Sequence, residues 1–412
     1  MLKSRSFSYE ENGKPDAIRT PLYPLFIAAI YGVFGSAPWV VMLFQIVLDT
    51  ITCLILMLTL YRLFTQQVAF VSSLFYALDP FLIFYCSTLA SDVLFVFLLV
   101  LSFYCFAAAY RVAPRGKGDW YYASFGLLLG IATLVRPISI YIPLLLAIFF
   151  FISYWKDKAR AIRLTAIFLV TFFLAISPWL YRNYVTFDRL SLSTSGQFNL
   201  LFLWAEPVEM ERLNIDRASA EILLDAEVER EIASDGLDFK QMNQFQVADY
   251  YQRLAVRAIL KNPLTFAKTY TTGIIFNFLN LNTEGFARHL HMRSASLDKR
   301  WYSSMKDMLR DFFSKKPFEA ILIGGVILFF LTVTYSLSVV GFIASWSRYD
   351  HKVLLFLLLT SSYFVLLTGA GGLCRFKLPS LPFYLCFAGI GFEYVYQRII
   401  QARKNVRLGF RP

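Results

Sequence analysis

Apolar runs long enough to cross a bilayer, about 17–25 residues each, recur between residues 38 and 396. No other feature limits the fold so strongly. Inside hydrocarbon every backbone N–H and C=O must find a partner within the protein, so such runs have to be helices. The expected spans are 38–63, 68–85, 90–110, 120–135, 137–154, 164–180, 319–346, 353–370 and 378–396. The predicted fold class is therefore an all-α polytopic membrane protein of about nine transmembrane helices. Its hydrophobic content of 57% exceeds the roughly 45–50% usual for soluble domains.

The connections between runs set the orientation. Arg111, Arg115 and Lys117 follow the third run, and Lys156, Lys158, Arg160 and Arg163 follow the fifth. Arg348 and Lys352 follow the seventh, and the tail carries Arg398, Arg403, Lys404, Arg407 and Arg411. With nine spans all these clusters share one side, which the positive-inside rule makes cytoplasmic. A net charge of +12 distributed in this way speaks for membrane lipids as partners and against nucleic acid. Five cysteines (Cys53, Cys86, Cys105, Cys374, Cys386) show no paired spacing and read as small hydrophobes.

Residues 181–318 then fall on the extracytoplasmic side, as a large loop whose first half is acidic. Its 244–261 stretch places Val247, Tyr250, Tyr251, Leu254, Ala258 and Ile259 on one helical stripe that stops at Asn262-Pro263. Residues 263–281 are apolar, but a span there would carry the basic tail outside, so an interfacial or re-entrant helix is expected. Met1 would lie outside, and Lys3, Arg5, Lys14 and Arg19 would have to be translocated with no span ahead of them. Either 22–36 spans the membrane with the N-terminus inside, or an upstream span is missing from this reading frame.

Several blocks, in order, carry a resemblance: "RTPLYPLFIAAIYGVFG", Gln45 inside the next span, "ALDPFLIFYCSTLASDVLFVFLLVL", "GLLLGIATLVRP", "SPWLYRNYVTFDRLSLSTSGQFNL" and "GLCRFKLPSLPFYLCFAGIGF". From residue 18 onward the chain resembles the GT-C glycosyltransferases related to protein O-mannosyltransferases and the lipid A aminoarabinose transferase. That resemblance favours the missing upstream span. It also implies a GT-C-like bundle and an inverting transfer of sugar from a polyprenyl-phosphate donor to a lipid-linked glycan or protein. The family begins with a transmembrane helix and an acidic first-loop residue taken as the catalytic base. Here that residue is absent, which leaves the activity of the chain open. Residues 1–37 would be the remnant of the first external loop, with an interfacial helix. A six-span module (38–180), the loop region (181–318), a three-span module (319–396) and a basic cytoplasmic tail (397–412) would follow.

Such a transferase must deprotonate an acceptor hydroxyl and stabilise the phosphate left on the carrier. Arg19, Arg136, Arg182 and Arg375 all fall near the external boundary. A guanidinium can hold two phosphate oxygens and stays charged beside lipid, although interfacial arginines also snorkel to headgroups. By resemblance, Arg19 matches a carrier-phosphate contact. Asp92, opening a helix in "LASDVLF", is the candidate catalytic residue, as an acceptor contact, a metal ligand or a supporting base, or equally a charge or cap at a helix N-terminus. Tyr23 and Asn183 are candidate substrate contacts. Asp79 reads as a polar site or a helix break, and Asp49 as an acid in need of a partner within its span.

The glycine-rich "TGAGGLCRFKLP" offers backbone amides to a phosphate, or is a tight loop. His289 and His291 with Glu284 have metal-ligand residue types at weak spacing, so a divalent cation is compatible with the pattern without being required by it. A bacterial inner-membrane location with an extracytoplasmic active site follows from these readings. The alternatives are a flippase or transporter of lipid-linked oligosaccharide, and an inactive truncated scaffold of an envelope polysaccharide assembly. A transporter usually shows two similar halves, and no such repeat is apparent.

Overall fold

The computed structural model describes residues 7–8, 15–112, 118–290, 310 and 317–409. Lys3, Arg5, Lys14, Arg115, Lys117, His291 and Arg411 lie outside the described residues. Every described element is helical. In chain order the helices are α1 (Leu22–Phe34), α2 (Pro38–Leu63), α3 (Gln66–Ala77), α4 (Pro80–Cys86), α5 (Asp92–Val112), α6 (Asp119–Thr133), α7 (Ile142–Ser153) and α8 (Lys158–Phe187). Then follow α9 (Ser195–Asn199), α10 (Glu206–Leu213), α11 (Arg217–Ser234), α12 (Gln244–Lys261), α13 (Pro263–Leu279), α14 (Thr283–His289), α15 (Phe318–Ser345), α16 (His351–Leu367) and α17 (Leu381–Gly409).

Among the described residues five helices are long and apolar enough to cross a membrane: α2, α5, α8, α15 and the one that includes α17. The pair α3 and α4, bent by 53°, makes a sixth if it counts as one span. The protein is an integral membrane protein. The remaining expected spans at 120–135, 137–154 and 353–370 are built as shorter helices.

The bend between α3 and α4 has a local cause. Pro80 cannot donate a backbone hydrogen bond, and Asp79 ahead of it accepts from the amides of Phe81 (2.9 Å) and Leu82 (3.1 Å). Asp79 is thus the N-cap of α4, the helix-break alternative of the two read from sequence.

The chain divides into two compact units. The bundle unit comprises Val33–Ile176, Phe329–Val365 and Leu378–Pro412. Its most enclosed spans are the helix that includes α17, 78% buried over its most apolar window, and α5, 72% buried, whereas α2 and α15 are 28% and 22% buried. Aromatic rings fill the interior: Phe106 stacks on Phe356 at 3.9 Å, and Phe103 and Phe383 lie 5.4 Å apart. Helices in lipid associate by close packing rather than by exclusion of water, so small residues matter at their crossings. A Cβ on Gly391 would sit 2.0 Å from the Leu337 carbonyl oxygen, so α17 approaches α15 backbone to backbone.

The loop unit comprises Met1–Gly32, Ser177–Leu328 and Leu366–Lys377. Its core is a small globular cluster of Leu201, Phe202, Leu224, Val228, Tyr250 and Leu254 among others, drawn from α11, α12 and the π-helical turn Leu200–Ala205. The expected stripe on α12 is present, with Tyr250, Leu254 and Ala258 buried. A capping box between Asn243 and Gln246 starts this helix, and it ends at Lys261, ahead of Asn262-Pro263. Helix α13 has 17 residues and rests against the turn Gly369–Gly371 of the same unit.

Candidate functional site

Asp92 opens α5 and is 1% exposed, and the guanidinium of Arg136 is hydrogen-bonded to its carboxylate. Two favourable fields act on this acid, the α5 dipole and the neighbouring cation. Arg136 precedes the 3₁₀ turn Pro137–Tyr141, and its guanidinium lies 5.9 Å from the Phe95 ring centroid. The turn is pinned by the Tyr363 hydroxyl, which donates to the Ile138 carbonyl, and by a 2.9 Å contact between the Thr133 and Ser139 hydroxyls.

A second support acts from α2. The buried amide nitrogen of Gln45 donates to the carbonyls of Thr88 (2.8 Å), Cys86 (3.1 Å) and Tyr85 (3.4 Å). Those carbonyls end α4 and begin the turn that leads into Asp92, so Gln45 fixes where α5 starts. One face of the bundle unit thus holds an acid-cation pair whose backbone is tied from α2 and α16.

Arg182 and Asn183 occupy the end of α8 within the loop unit. One guanidinium nitrogen of Arg182 donates to the Asp16 carbonyl and to Asn183 Oδ1, each at 2.8 Å. The group also lies 4.7 Å from the ring centroid of Trp179 and 5.2 Å from that of Phe187. Asn183, a candidate substrate contact, is fully enclosed, and its amide donates to the carbonyls of Ser191 (2.7 Å) and Leu192 (3.2 Å). Together these two side chains clamp residues 16 and 191–192. The amide of Ala17 donates to Gln244 Oε1 (2.6 Å) and its carbonyl accepts from Thr194 (2.9 Å).

The clamp sets the course of the chain into Arg19, which is exposed and makes no hydrogen bond or ion pair to any described residue. Tyr23, one turn into α1, is 8% exposed and stacks at 6.2 Å on Phe26.

Arg375 is half-buried in the 3₁₀ turn Cys374–Ser380, and Lys377 beside it is 1% exposed. The glycine-rich stretch before them is held closely by α13. A Cβ on Gly273 would lie 2.3 Å from the Gly369 carbonyl oxygen, and Asn277 and Asn280 donate to the carbonyls of Thr368 and Gly372, both at 3.2 Å. Gly372 takes a φ of +61°, which an L side chain adopts only with strain. These hydrogen bonds engage the turn's carbonyls.

Two acids escaped the sequence reading of the site or its partners. Asp49 has a partner in the Tyr76 hydroxyl, which donates to it at 2.7 Å. Glu206 in α10 is 1% exposed with Arg217 Nε at 3.3 Å. Burial pushes its carboxyl up to about 7 against the opposing pull of Arg217, and Glu221 and Asp225 push it the same way as burial. The signal available beforehand was only its place in an acidic stretch. Among the described residues no three His, Cys, Asp or Glu side chains come together as a metal site. His289 ends α14, and its expected companion His291 lies outside the described residues.

The fold is the GT-C-like helical bundle expected from the sequence, on its likeness to solved structures. Over 93% of its length the chain is similar to a crystal structure of the Archaeoglobus fulgidus oligosaccharyltransferase tethered through a disulfide to an acceptor peptide, with a TM-score of 0.52 and 12% identity. Over 94% it is similar to the oligosaccharyltransferase AglB of the same organism in complex with an inhibitory peptide and a dolichol-phosphate, again with a TM-score of 0.52 and 12% identity. The chain spans 42% and 44% of those two proteins. In sequence, residues 17–181 match the dolichyl-phosphate-mannose-protein mannosyltransferase family. No curated protein matches the chain in sequence. Arg19, Tyr23, Asp92 and Arg136 lie within the stretch that carries the family's pattern, while Arg182, Asn183 and Arg375 lie beyond it.

Proposed function

We propose that this chain is an integral-membrane glycosyltransferase. It moves a sugar from a polyprenyl-phosphate donor to a lipid-linked glycan or protein on the extracytoplasmic face, with inversion at the anomeric carbon. The observation that carries the reading is the family match over residues 17–181, the stretch that holds the exposed Arg19 and the Asp92–Arg136 pair.

In this proposal Arg19 and Arg375 receive the donor phosphate. Arg136, paired with Asp92 in the bundle unit, is a further candidate for the carrier phosphate. The Asp92 carboxylate takes the proton of the acceptor hydroxyl as the acceptor oxygen bonds to the anomeric carbon. The bond from that carbon to the phosphate oxygen breaks, and the charge gathering on the polyprenyl phosphate is met by guanidinium groups. Tyr23 flanks the donor, while Arg182 and Asn183 hold the chain that presents Arg19.

The test uses membranes containing the full chain and a radiolabelled polyprenyl-phosphate sugar. Transfer of label to lipid-linked or protein acceptor is expected, with Asp92→Asn and Arg375→Ala each lowering it by about a hundredfold or more. Unchanged turnover in both variants would remove the site assignment. Labelled donor that crosses the membrane without transfer would favour the transporter reading instead.

A further inference from the structure

The C-terminal ends of α2 and α5 frame a second polar site in the bundle unit. At 1.5 Å per residue, α5 rises about 28 Å between Asp92 and Arg111, so this site lies at the far end of the helix from the acid-cation pair. A cavity of about 410 Å³ opens there, lined by Leu58, Tyr61, Arg62, Tyr104 and Arg111. That volume is within the roughly 300–1,000 Å³ of small-molecule sites.

Two cations stand on this cavity. Arg62 donates to the Tyr104 hydroxyl at 2.8 Å, with its guanidinium 4.9 Å from the Tyr104 ring centroid. Arg111 donates to the backbone carbonyl of Arg62. Among the described residues neither arginine forms an ion pair. Each contact occupies one of a guanidinium's five donors, so both groups are oriented while most of their donors remain for a ligand. Arginines in last turns also offset the helix dipole. That role needs neither a cavity nor a tyrosine that holds one guanidinium in place.

The chemistry of the rim selects the ligand. Leu58 and Tyr61 are 51% and 60% exposed on the outward face of a membrane-spanning helix. An occupant therefore meets two guanidinium groups at one end and lipid-facing apolar surface at the other. We propose that this recess binds an anionic phospholipid, with its phosphate on Arg62 and Arg111 and its acyl chain along Leu58 and the Tyr61 ring. Charge-assisted hydrogen bonds from guanidinium to phosphate are the strong class, and the planar fork matches the phosphate oxygens.

Native mass spectrometry of the full chain in detergent micelles, with equal amounts of phosphatidylglycerol and phosphatidylcholine, tests this. Phosphatidylglycerol adducts should predominate. R62Q/R111Q should need about tenfold more phosphatidylglycerol for the same occupancy, while R163Q keeps the wild-type preference. Thermal unfolding of the wild type gives an answer that does not depend on a variant folding: phosphatidylglycerol should raise the midpoint, and phosphatidylcholine and inorganic phosphate should not. Equal adducts of the two lipids, unchanged adducts in R62Q/R111Q, or the same stabilisation from inorganic phosphate alone would each overturn the proposal.

Discussion

Arg136 reaches from the turn after α6 to the carboxylate of Asp92, and closes a buried pair between residues 44 positions apart. The acid is 1% exposed and the arginine side chain 14%, so removing the cation takes its counter-charge from an acid held in the interior. Breaking a buried pair from one side costs about 3–5 kcal/mol. Arg136→Gln should therefore lower stability by about 3 kcal/mol. Arg136→Gln combined with Asp92→Asn should be less damaging than Arg136→Gln alone, because the buried carboxylate's charge is gone as well. Thermal unfolding of the purified chain in detergent measures both. A double variant that unfolds at or below the Arg136→Gln single variant would show that the pair is not what the site rests on.

Much of this architecture was legible in the residue pattern. The expected span 38–63 is α2, and the expected 353–370 is α16 at 351–367, because a run of apolar residues in lipid has few alternatives to a helix. The α12 stripe and its stop at Asn262-Pro263 were legible for the same local reason. The partnership of Asp92 with Arg136 was not. Both residues were singled out, for separate roles, and only the packing of the helices joins them. Asn183 was singled out as a candidate substrate contact, and its amide donates to the carbonyls of Ser191 and Leu192, partners set by a turn that no periodicity announces. The two units each draw on three separate stretches of chain, a division that a linear reading of spans and loops does not contain.

Glu206 gives the loop unit a pH dependence whose sign can be worked out. Its folded-state carboxyl titrates at about 7, above an ordinary glutamate at 4.5, with burial as the main cause. Between those values the folded protein binds more protons than the unfolded chain. Stability then falls as pH rises through that window and levels off above it. Glu206→Gln keeps the shape without the ionisation, so it should flatten the slope and leave the variant more stable than wild type above pH 7. Hydrogen exchange in α10 and α11 at pH 5 and pH 7.5 reads this directly. An unchanged slope in the variant would assign the dependence to other groups.

Helix crossing in the bundle unit depends on the missing side chain at Gly391. An added Cβ would stand 2.0 Å from the Leu337 carbonyl oxygen and 2.9 Å from the Gly341 amide nitrogen, both backbone atoms that cannot step aside. Gly391→Ala should destabilise by about 1–3 kcal/mol through overpacking. Gly325, in the outward-facing helix α15, has nothing within 4 Å of the same added atom. Gly325→Ala should be neutral or stabilise by up to about 1 kcal/mol through helix propensity. Opposite signs for one chemical change, measured by thermal unfolding, separate packing from propensity.

Gln45 provides the last prediction, because its position in α2 lets one amide serve three carbonyls at the turn before α5. Leucine at that position fills a similar volume and donates nothing, so the carbonyls of Cys86 and Thr88 lose their donor in an interior where an unmade hydrogen bond costs about 1–3 kcal/mol. Gln45→Leu should unfold earlier by that amount and speed hydrogen exchange in residues 87–93, with α17 unaffected. Under the proposed function the same loosening moves Asp92 without touching the donor, so kcat should fall by tenfold or more while the KM for the polyprenyl-phosphate sugar stays near wild type. A rise in KM at unchanged kcat would instead mean that Gln45 supports donor binding, and would separate the turn from the chemistry at Asp92.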